Sequence, residues 1–469
     1  MRRLATQDAM MLYQELTRND YLHSTRVVIL DPGPYSSLQI KQIMERECSR
    51  SEPLQWRLQP VPLRLNYPLW RNDPDFDVTQ HVSRIACPAP GGERELCEVI
   101  SQITSRPLER TRPMWECWVI EGLRDGRVAV VSKVHHALAD GVGTNTLVED
   151  TLATEPAPIG ARPLRDLEPE HAPSGWVLAR QAIADGVKQA SGAVPTLWSK
   201  RKQIKRAQVS PSDDLVAAQL GDGPPTFLNR EPVSHRAYAF TTIPLAELTT
   251  VKDAFGTTLN DLLLAITAGA VRELLVQRGE LPDRPLIAGM PLSTRAPDDP
   301  KQYGNQITVL GVRLRTDIAD PVARLAATKR EADVAKDAFR RTVGARPEDF
   351  LTLIPPPLLV LALRALRRQI TRGVPVLGNL AVSNVPGPRK HLYSADRRVD
   401  ALFGSGPLAP GHSLSLTAWS YVDSFNVSFI AARDVFPDLW PFVELFRASF
   451  DELRAAAREL AATTKDGVQ

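Results

Sequence analysis

Two adjacent histidines, His135 and His136, are the residues of this sequence best suited to chemistry. A histidine with an ordinary pKa near ~6.5 is largely neutral at cell pH, so a ring nitrogen can accept the proton of an alcohol that attacks a carbonyl. Such general-base help is worth roughly 10²–10⁴ in rate. Asp140 follows shortly after and has two open roles: it orients an imidazole, or it pairs with a distant cation and braces the loop. Gly141 suits a backbone that turns with positive φ or approaches another segment closely.

The histidines follow a run of β-branched and apolar residues, 128–134, which predicts a strand. Gly141 and Gly143 then predict a turn that leads into a helix. The end of a strand is a common place for a scaffold to present side chains to a cavity. The pair alone is a weak indication, since histidines at a strand end are more often packed or hydrogen-bonded than catalytic. A metal site would need further ligands, and no nearby Cys, His or Glu supplies them, so we expect no metal.

The composition indicates a soluble globular protein with a large core, because 43% of its 469 residues are hydrophobic. Its 57 basic and 54 acidic residues nearly balance, which argues against wholesale binding of nucleic acid. Cys48, Cys87, Cys97 and Cys117 lack the spacing of a metal site and predict buried free thiols in a reducing compartment.

Two stretches bear on localisation. The N-terminus reaches charged and amide residues before a long apolar run can form, so we expect a cytoplasmic protein without a secretory signal. The most apolar stretch, 351–366, is interrupted by prolines and by Arg364 and is shorter than the ~20 residues that a bilayer span needs. A spanning helix is therefore not expected, while peripheral contact with the inner membrane surface or with lipid inclusions stays open.

Hydrophobic patterning divides the chain into two α/β regions. Residues 1–155 alternate strand-like and helical patterns and contain the histidines. Residues 156–231 are rich in proline and glycine and predict a long linker with its own helices. The α/β pattern resumes over 232–469, with a helix predicted over 259–279 and a last helix over 439–462. We therefore predict an α/β fold with two domains joined by a helical linker.

The string from His135 to Gly141 resembles the His-His-x-x-x-Asp-Gly signature of the coenzyme-A-dependent acyltransferase superfamily. The rest of the chain resembles one group of that superfamily, the bacterial wax ester synthase/diacylglycerol acyltransferases, over almost its full length. The matching blocks keep the same order along the chain: Leu4-Ala5-Thr6-Gln7-Asp8-Ala9, Pro68-Leu69-Trp70, Asp73-Pro74-Asp75-Phe76-Asp77, Arg112-Pro113-Met114-Trp115-Glu116, Thr226-Phe227-Leu228-Asn229, Leu259-Asn260-Asp261, Pro291-Leu292-Ser293-Thr294-Arg295, Gly304-Asn305 and Asn384-Val385-Pro386-Gly387-Pro388.

The resemblance implies a fold, a reaction and roles for the site residues. It implies two chloramphenicol-acetyltransferase-like domains with a tunnel at their interface, which acyl-CoA enters from one side and a lipid alcohol from the other. It makes His136 the general base and His135 a supporting residue. It makes Asp140 largely structural and paired with an arginine, for which Arg295 is the matching candidate. Acyl-CoA is then a co-substrate, no cofactor is bound permanently, and the acceptor is diacylglycerol or a long-chain alcohol.

Two features indicate a functional role for Asn260, the family match and its position at the start of a predicted helix. Thr258 and Asp261 have the spacing of a helix N-cap with an acidic residue at the third position, which places Asn260 in the first helical turn. Backbone N–H groups and the helix dipole favour negative charge there, so the Asn260 amide is suited to an oxyanion of a tetrahedral intermediate. The other interpretation is that Asn260 caps the helix or holds the domain interface.

Two further functions stay open. A lipid-binding or droplet-associated relative that has lost activity would be expected to have a broken His136 or Asp140, and both are intact. An acyltransferase with a different acceptor is the second, because the chain departs from the family where we expect acceptor choice to be set. The family commonly has His-Val-Gly where this chain has His23-Ser24-Thr25, and Ser-Leu-Arg where it has Ser293-Thr294-Arg295.

Overall fold

Strands and helices alternate along the first part of the chain in a computed structural model that describes residues 1–15, 21–33, 35–138, 151–158, 167–168, 170–186, 217–294, 304–341 and 354–466. The elements up to residue 186 are β1 (Arg2–Arg3), α1 (Thr6–Gln14), β2 (His23–Leu30), α2 (Ser37–Cys48), β3 (Trp56–Gln59), β4 (Leu69–Asn72), β5 (Val82–Ala86), α3 (Glu93–Thr104), β6 (Trp115–Glu121), β7 (Val128–His135) and α4 (175–186).

The second part of the chain again mixes strands and helices. The predicted helices over 259–279 and 439–462 are confirmed, with ends that differ by a few residues. The elements are β8 (Arg236–Pro244), α5 (Leu245–Ala254), α6 (Leu259–Gln277), β9 (Ile287–Ser293), β10 (Ile307–Arg313), α7 (Pro321–Arg341), α8 (Pro356–Ile370), β11 (Leu380–Val385), β12 (Tyr393–Ser394), β13 (Arg397–Ser405), β14 (Leu414–Tyr421), β15 (Ser424–Ala432) and α9 (Trp440–Asp466).

The described strands form two six-stranded mixed sheets and one small sheet. The first sheet has the order β12-β13-β2-β7-β6-β5, and the second has the order β10-β9-β11-β14-β15-β8. The small sheet has the order β1-β4-β3. β13 comes from the second part of the chain but pairs with β2 of the first sheet, so the two halves are interleaved. The predicted α/β fold of two domains is confirmed, and this exchange of a strand is a feature that the sequence pattern does not indicate.

β7 lies inside the first sheet, between β2 and β6, and both of its faces are buried. Its Val128 and Val130 belong to one apolar cluster, while Ala129 and Val131 belong to another on the opposite face. A run of β-branched and apolar residues is typical of a strand that is covered on both sides. Full burial of one such side chain contributes about 1.5–3 kcal/mol. The strand that ends at the histidines is therefore firmly placed.

Lys133 fixes the end of β7 further. Its side chain is fully buried, and its Nζ lies 3.0 Å from the carbonyl oxygen of Ile103, 3.1 Å from that of Arg106 and 3.0 Å from Glu116. Burial lowers the pKa of Lys133, while the charge and hydrogen bond of Glu116 oppose that shift. The three contacts attach β7 to the end of α3 and to β6 just before the histidines.

The longest described helices cover the second sheet. α6 packs between α7 and α9, and nearly all of its first four turns are buried. Of the helices that the structure describes, none combines the length and the apolar character needed to cross a lipid bilayer. The four cysteines are all buried and free, as predicted from their spacing.

Candidate active site

His135 is the last residue of β7, and His136 follows it directly. In the antiparallel ladder with β2, His135 lies opposite His23. The N–H of His136 donates to the carbonyl oxygen of Leu22 at 2.8 Å, so backbone pairing continues one residue beyond the strand. The predicted position of the pair at a strand end is confirmed. Because backbone pairing holds both residues, the directions of their side chains are fixed.

The two histidine side chains point to opposite faces of the first sheet, because successive residues of a strand alternate. His135 shares its face with Lys133 and with His23 of β2. His136 shares the other face with Ser24, which lies diagonally across the ladder. Two residues that are adjacent in sequence therefore have different surroundings and different partners.

His135 is buried, and both of its ring nitrogens are engaged. Its Nδ1 accepts a hydrogen bond from the N–H of Ala137 at 3.0 Å, which requires that Nδ1 has no hydrogen. The ring hydrogen is therefore on Nε2, which lies 3.1 Å from Oε1 of Glu15 and donates to it. These contacts fix the tautomer of His135 and suit it to a supporting role.

Glu15 is a buried anion behind His135. Burial of the carboxyl group raises its pKa, but the hydrogen bond from His135 and the electrostatic interactions with His135, His23 and Arg110 outweigh burial and lower the pKa of Glu15 to about 2. Arg110 forms an ion pair with the carboxylate, and the N–H of Leu22 donates to it at 2.7 Å. Glu15 thus joins the end of α1, the start of β2 and the first histidine.

His23 completes the buried group on this face. Its ring stacks on Tyr21 with centroids 5.5 Å apart and meets His135 edge-on at 6.3 Å. Burial, followed by the charge of Lys133, holds the pKa of His23 well below its ordinary value. His23 is therefore neutral at cell pH, and its ring packs against His135.

His136 is half-buried and has a hydroxyl group beside its ring. Its Nδ1 lies 2.8 Å from Oγ of Ser24. Its backbone carbonyl accepts a hydrogen bond from Nδ2 of Asn305 at 2.7 Å. One contact comes from the neighbouring strand and the other from the second half of the chain, so His136 lies where the two halves meet.

A short segment of the second half docks on the histidine loop. Asp8 accepts both the backbone N–H of Asn305 at 2.7 Å and its side-chain Nδ2 at 2.9 Å. The N–H of Gly304 donates to the carbonyl oxygen of Leu138 at 3.3 Å. Gly304 has a φ of 89°, and a Cβ at this position would lie 3.1 Å from Oδ2 of Asp8. A glycine is therefore required for this close approach.

Asn260 is the second residue of α6, in the first turn as predicted. The Thr258 hydroxyl accepts from the N–H of Asp261, and Asp261 accepts from the N–H of Thr258, so the capping box is complete. The half-buried Asn260 amide takes no part in this capping box, and its Nδ2 lies 3.3 Å from Sδ of Met290 on β9. Between the described residues Asn260 and His136 there is no hydrogen bond. The helix cap does not use the Asn260 side chain.

Asp140, Gly141 and Arg295 lie outside the described residues, so their roles stay predictions. Several contacts around the histidines were not predicted: Ser24 and Glu15 contact the rings, Asn305 contacts the His136 carbonyl, and Asp8 holds Asn305. Asp8 and Asn305 lie within blocks that resemble the family, and Ser24 lies where the chain departs from it, but those matches assign no contact. No feature of the sequence indicates the contact of Glu15 with His135.

Known proteins resemble this chain over most of its length. A family model described as the wax ester synthase/diacylglycerol acyltransferase catalytic domain matches residues 4–263, and one described as the WS/DGAT C-terminal domain matches residues 303–454. A protein of Mycobacterium tuberculosis, named as a candidate diacylglycerol O-acyltransferase, is 37% identical over 98% of this chain and 98% of its own length. O-acyltransferase WSD of Acinetobacter baylyi is 32% identical over 81% of this chain and 82% of its own length.

Solved structures share the fold. A wax ester synthase/diacylglycerol acyltransferase from Marinobacter aquaeolei has a TM-score of 0.70 at 25% identity, and the match covers 97% of this chain and 100% of that one. The first condensation domain of the CDA synthetase has a TM-score of 0.60 at 15% identity over 97% and 96% of the two chains, a likeness of fold alone. The family models together cover most of the sequence, and this chain therefore belongs to the wax ester synthase/diacylglycerol acyltransferase family of O-acyltransferases.

Proposed function

We propose that this protein transfers a long-chain acyl group from acyl-CoA to the hydroxyl group of diacylglycerol, with fatty alcohols as further acceptors and His136 as the general base. The observation that carries the proposal is the difference between the two histidines. Both ring nitrogens of His135 are engaged by Glu15 and Ala137. His136 is half-buried on the other face of the sheet, and its Nδ1 lies 2.8 Å from the hydroxyl oxygen of Ser24. The name of the Acinetobacter relative supports O-acyl transfer, and the name of the Mycobacterium relative supports diacylglycerol as the acceptor.

The reaction is a single displacement. Nε2 of His136 removes the proton of the acceptor hydroxyl while the hydroxyl oxygen attacks the thioester carbonyl. The tetrahedral intermediate then collapses with cleavage of the carbon–sulfur bond, and the imidazolium returns its proton to the leaving CoA thiolate. An ester and free CoA are the products, and neither a covalent enzyme intermediate nor a permanently bound cofactor takes part.

Asn260 is proposed to donate a hydrogen bond to the oxyanion of that intermediate. The completed capping box of Thr258 and Asp261 supports this role, because the Asn260 amide is not needed for the cap. The first turn of a helix favours negative charge, and one such donor is worth about 2.7–4 kcal/mol in the transition state. Since Asn260 contacts the second sheet and His136 directly follows a strand of the first, the two groups would act from opposite sides of a substrate tunnel.

The remaining predicted residues are proposed to support the loop that follows His136. Asp140 and Arg295 would form an ion pair that braces the loop after His136, and Gly141 would allow that loop to turn. We propose that the two domains comprise residues 1–155 and 232–469 and that residues 156–231 link them. Acyl-CoA and the acceptor would enter the tunnel from different ends.

Peripheral contact with a lipid surface is proposed for α8. Its Leu359, Val360 and Leu363 are buried in the apolar cluster that contains Val128 and Val130, while Leu358 and Leu361 are 57% and 62% exposed. Arg364 and Arg368 continue the exposed side of the helix. Exposed leucines beside arginines on one helix are typical of contact with anionic lipid at an interface. Such contact would bring a water-insoluble acceptor to the enzyme.

One experiment tests the proposed function. Purified protein is incubated with radiolabelled palmitoyl-CoA and either diacylglycerol, hexadecanol or no acceptor, and both CoA release and labelled ester are measured. We expect release that depends on acceptor, with triacylglycerol as the main product. His136→Ala should reduce turnover by about 10²–10⁴ while the protein stays folded. His235→Ala, at an exposed histidine just before β8, is the matched control and should keep full activity.

The other outcomes of this experiment each decide against part of the proposal. Full turnover in His136→Ala would exclude His136 as the base. Binding of lipid without CoA release by the wild type would favour the inactive lipid-binding relative. No CoA release with either diacylglycerol or hexadecanol, followed by release when other alcohols are added to the panel, would favour an acyltransferase with a different acceptor.

A further inference from the structure

The hydroxyl group of Ser24 lies 2.8 Å from Nδ1 of His136, within hydrogen-bonding distance. We propose that Ser24 is a positioning residue of the acyl transfer, whose Oγ accepts the Nδ1 hydrogen of His136 and so keeps the lone pair of the imidazole on Nε2. This inference rests on the proposed function of His136 as the base. The proposed function itself assigns no role to Ser24.

The backbone around Ser24 is rigid. Ser24 belongs to β2, which pairs with β7 on one side and with β13 on the other. Neighbouring residues of both strands are paired without a break from His23 to Leu30. His136 is held in the same ladder through its N–H bond to Leu22. Both partners of the 2.8 Å contact are therefore placed by one sheet, so the contact is preorganised.

The direction of the hydrogen bond decides whether His136 can act as a base. A neutral imidazole has a hydrogen on one nitrogen only, and the other nitrogen is the acceptor. If the Ser24 hydroxyl donated to Nδ1, the ring hydrogen would be on Nε2, and Nε2 could not take a proton from the acceptor alcohol. If Ser24 accepts instead, Nδ1 has the hydrogen and Nε2 is the base. A serine hydroxyl rotates to serve either direction, but only one direction fits the reaction.

The adjacent histidine provides a contrast within the same structure. Nδ1 of His135 accepts from the backbone N–H of Ala137, so the hydrogen of that ring is on Nε2. The two histidines are thus held in opposite tautomers, His135 by a backbone donor and His136 by a side-chain acceptor. When His136 takes a proton, its Nδ1–H bond to Ser24 becomes charge-assisted and strengthens, so the serine favours the transition state over the ground state.

The test compares two isosteric variants. Ser24→Thr keeps a hydroxyl group, and Ser24→Val introduces a side chain of the same shape as threonine but without the hydroxyl group. Threonine and valine are both favourable in a strand. We expect Ser24→Thr to retain most of kcat and Ser24→Val to lose about ten-fold in kcat with little change in KM. In Ser24→Val the acidic limb of the kcat/KM profile should move to lower pH, because the protonated ring has lost its acceptor. Equal kcat and equal pH profiles in the two variants would overturn the proposal.

Thr25→Val is the matched control. Thr25 is the next residue of β2, its side chain is on the opposite face, and it is buried. Removal of its hydroxyl group should leave kcat and the acidic limb unchanged. A loss in Thr25→Val equal to that in Ser24→Val would mean that any change in β2 disturbs the site, which would also overturn the specific role of Ser24.

A second measurement does not depend on turnover. In protein labelled with ¹⁵N-histidine, the chemical shifts of the His136 ring nitrogens, assigned with His136→Gln, report which nitrogen has the hydrogen. We expect the Nδ1–H form in the wild type and in Ser24→Thr, and a mixture of tautomers in Ser24→Val. The Nε2–H form in the wild type would refute the inference, even if acyl transfer is found. Absence of acyl transfer together with the Nδ1–H form would refute the proposed function and leave the Ser24 contact as assigned.

Discussion

Asn305 donates a side-chain hydrogen bond to the carbonyl oxygen of His136 at 2.7 Å, although 169 residues separate them in sequence. The same side-chain nitrogen is 2.9 Å from Asp8, which also accepts the backbone N–H of Asn305 at 2.7 Å. The backbone that presents His136 is thus held by residues of both halves of the chain. The position of the proposed base therefore depends on contact between the two halves, and the first half alone would lack the hydrogen bond that holds the His136 carbonyl.

Asn305→Ala should lower both stability and turnover. The change removes the donors to His136 and Asp8 and leaves the buried Asp8 carboxylate with fewer partners. Loss of such hydrogen bonds costs about 2–3 kcal/mol. We expect a lower free energy of unfolding, measured in urea, and a kcat reduced by roughly ten-fold, because a small displacement of a catalytic group is costly.

Asn426→Ala separates these two effects. Asn426 is a fully buried asparagine of β15 whose Nδ2 donates to the carbonyl oxygen of Leu402 at 3.0 Å. Its removal should destabilise the protein by a similar amount and leave kcat unchanged. If both variants lose stability and neither loses kcat, Asn305 is a structural contact only, and the idea that it positions His136 is wrong.

Glu15→Gln should reduce stability in a way that depends on pH. The pKa of Glu15 falls from 4.5 to about 2 in the folded protein, which corresponds to about 3 kcal/mol at ~1.36 kcal/mol per unit. Because the folded pKa is lowered, this stabilisation is complete above about 4.5 and is lost as the pH falls toward 2. Unfolding in urea should show the full difference between wild type and variant at pH 7 and a smaller one below pH 4.5.

Glu273→Gln is a suitable control, because Glu273 is an exposed residue of α6 whose carboxylate accepts a hydrogen bond from the neutral amide of Gln277 at 3.0 Å. That variant should differ little from the wild type at either pH. A stability difference for Glu15→Gln that is constant from pH 7 down to pH 3 would show that the Glu15 carboxylate is not the source of the effect.

Local features of the site could be predicted from the sequence, and contacts between distant segments could not. The strand before His135 and the capping box of Thr258 and Asp261 follow from patterns within a few residues, and both are confirmed. The contact of Glu15 with His135 joins residues 120 positions apart. Hydrophobic periodicity shows which face of an element is buried but not which distant side chain will lie there.

The crossing of β13 into the first sheet was missed for the same reason. Its pairing with β2 brings together segments from the two ends of the chain, and neither segment has a residue pattern that names its partner. The roles of Gly304 and Asn305 were missed although the pair matched a family block, because a match in sequence does not tell what the residues touch. Their contacts with Asp8 and Leu138 became evident only in three dimensions.

Leu358 and Leu361 should determine binding to anionic vesicles. The double variant Leu358→Ser/Leu361→Ser removes the exposed apolar side chains of α8, and Arg364→Gln/Arg368→Gln removes the adjacent charges. In flotation with vesicles that contain phosphatidylglycerol, each arginine should account for about five-fold in affinity, from ~1 kcal/mol per basic residue. Phosphatidylcholine vesicles should bind the wild type more weakly. Val276→Ser, at an exposed valine of α6, should bind as the wild type does, and a loss equal to that of the α8 variants would contradict this surface.

Asn260→Ala should affect catalysis, and Thr258→Ala should affect stability, because the two side chains have different roles at the start of the same helix. Asn260→Ala should lower kcat by roughly 10²–10³, the usual effect of losing one oxyanion donor, with little change in stability. Thr258→Ala removes the N-cap and should lower the free energy of unfolding by about 1 kcal/mol while kcat is retained. Steady-state kinetics and urea unfolding of both variants measure the two effects separately. A normal kcat in Asn260→Ala would return Asn260 to a structural role beside Met290, and the oxyanion would then need another donor.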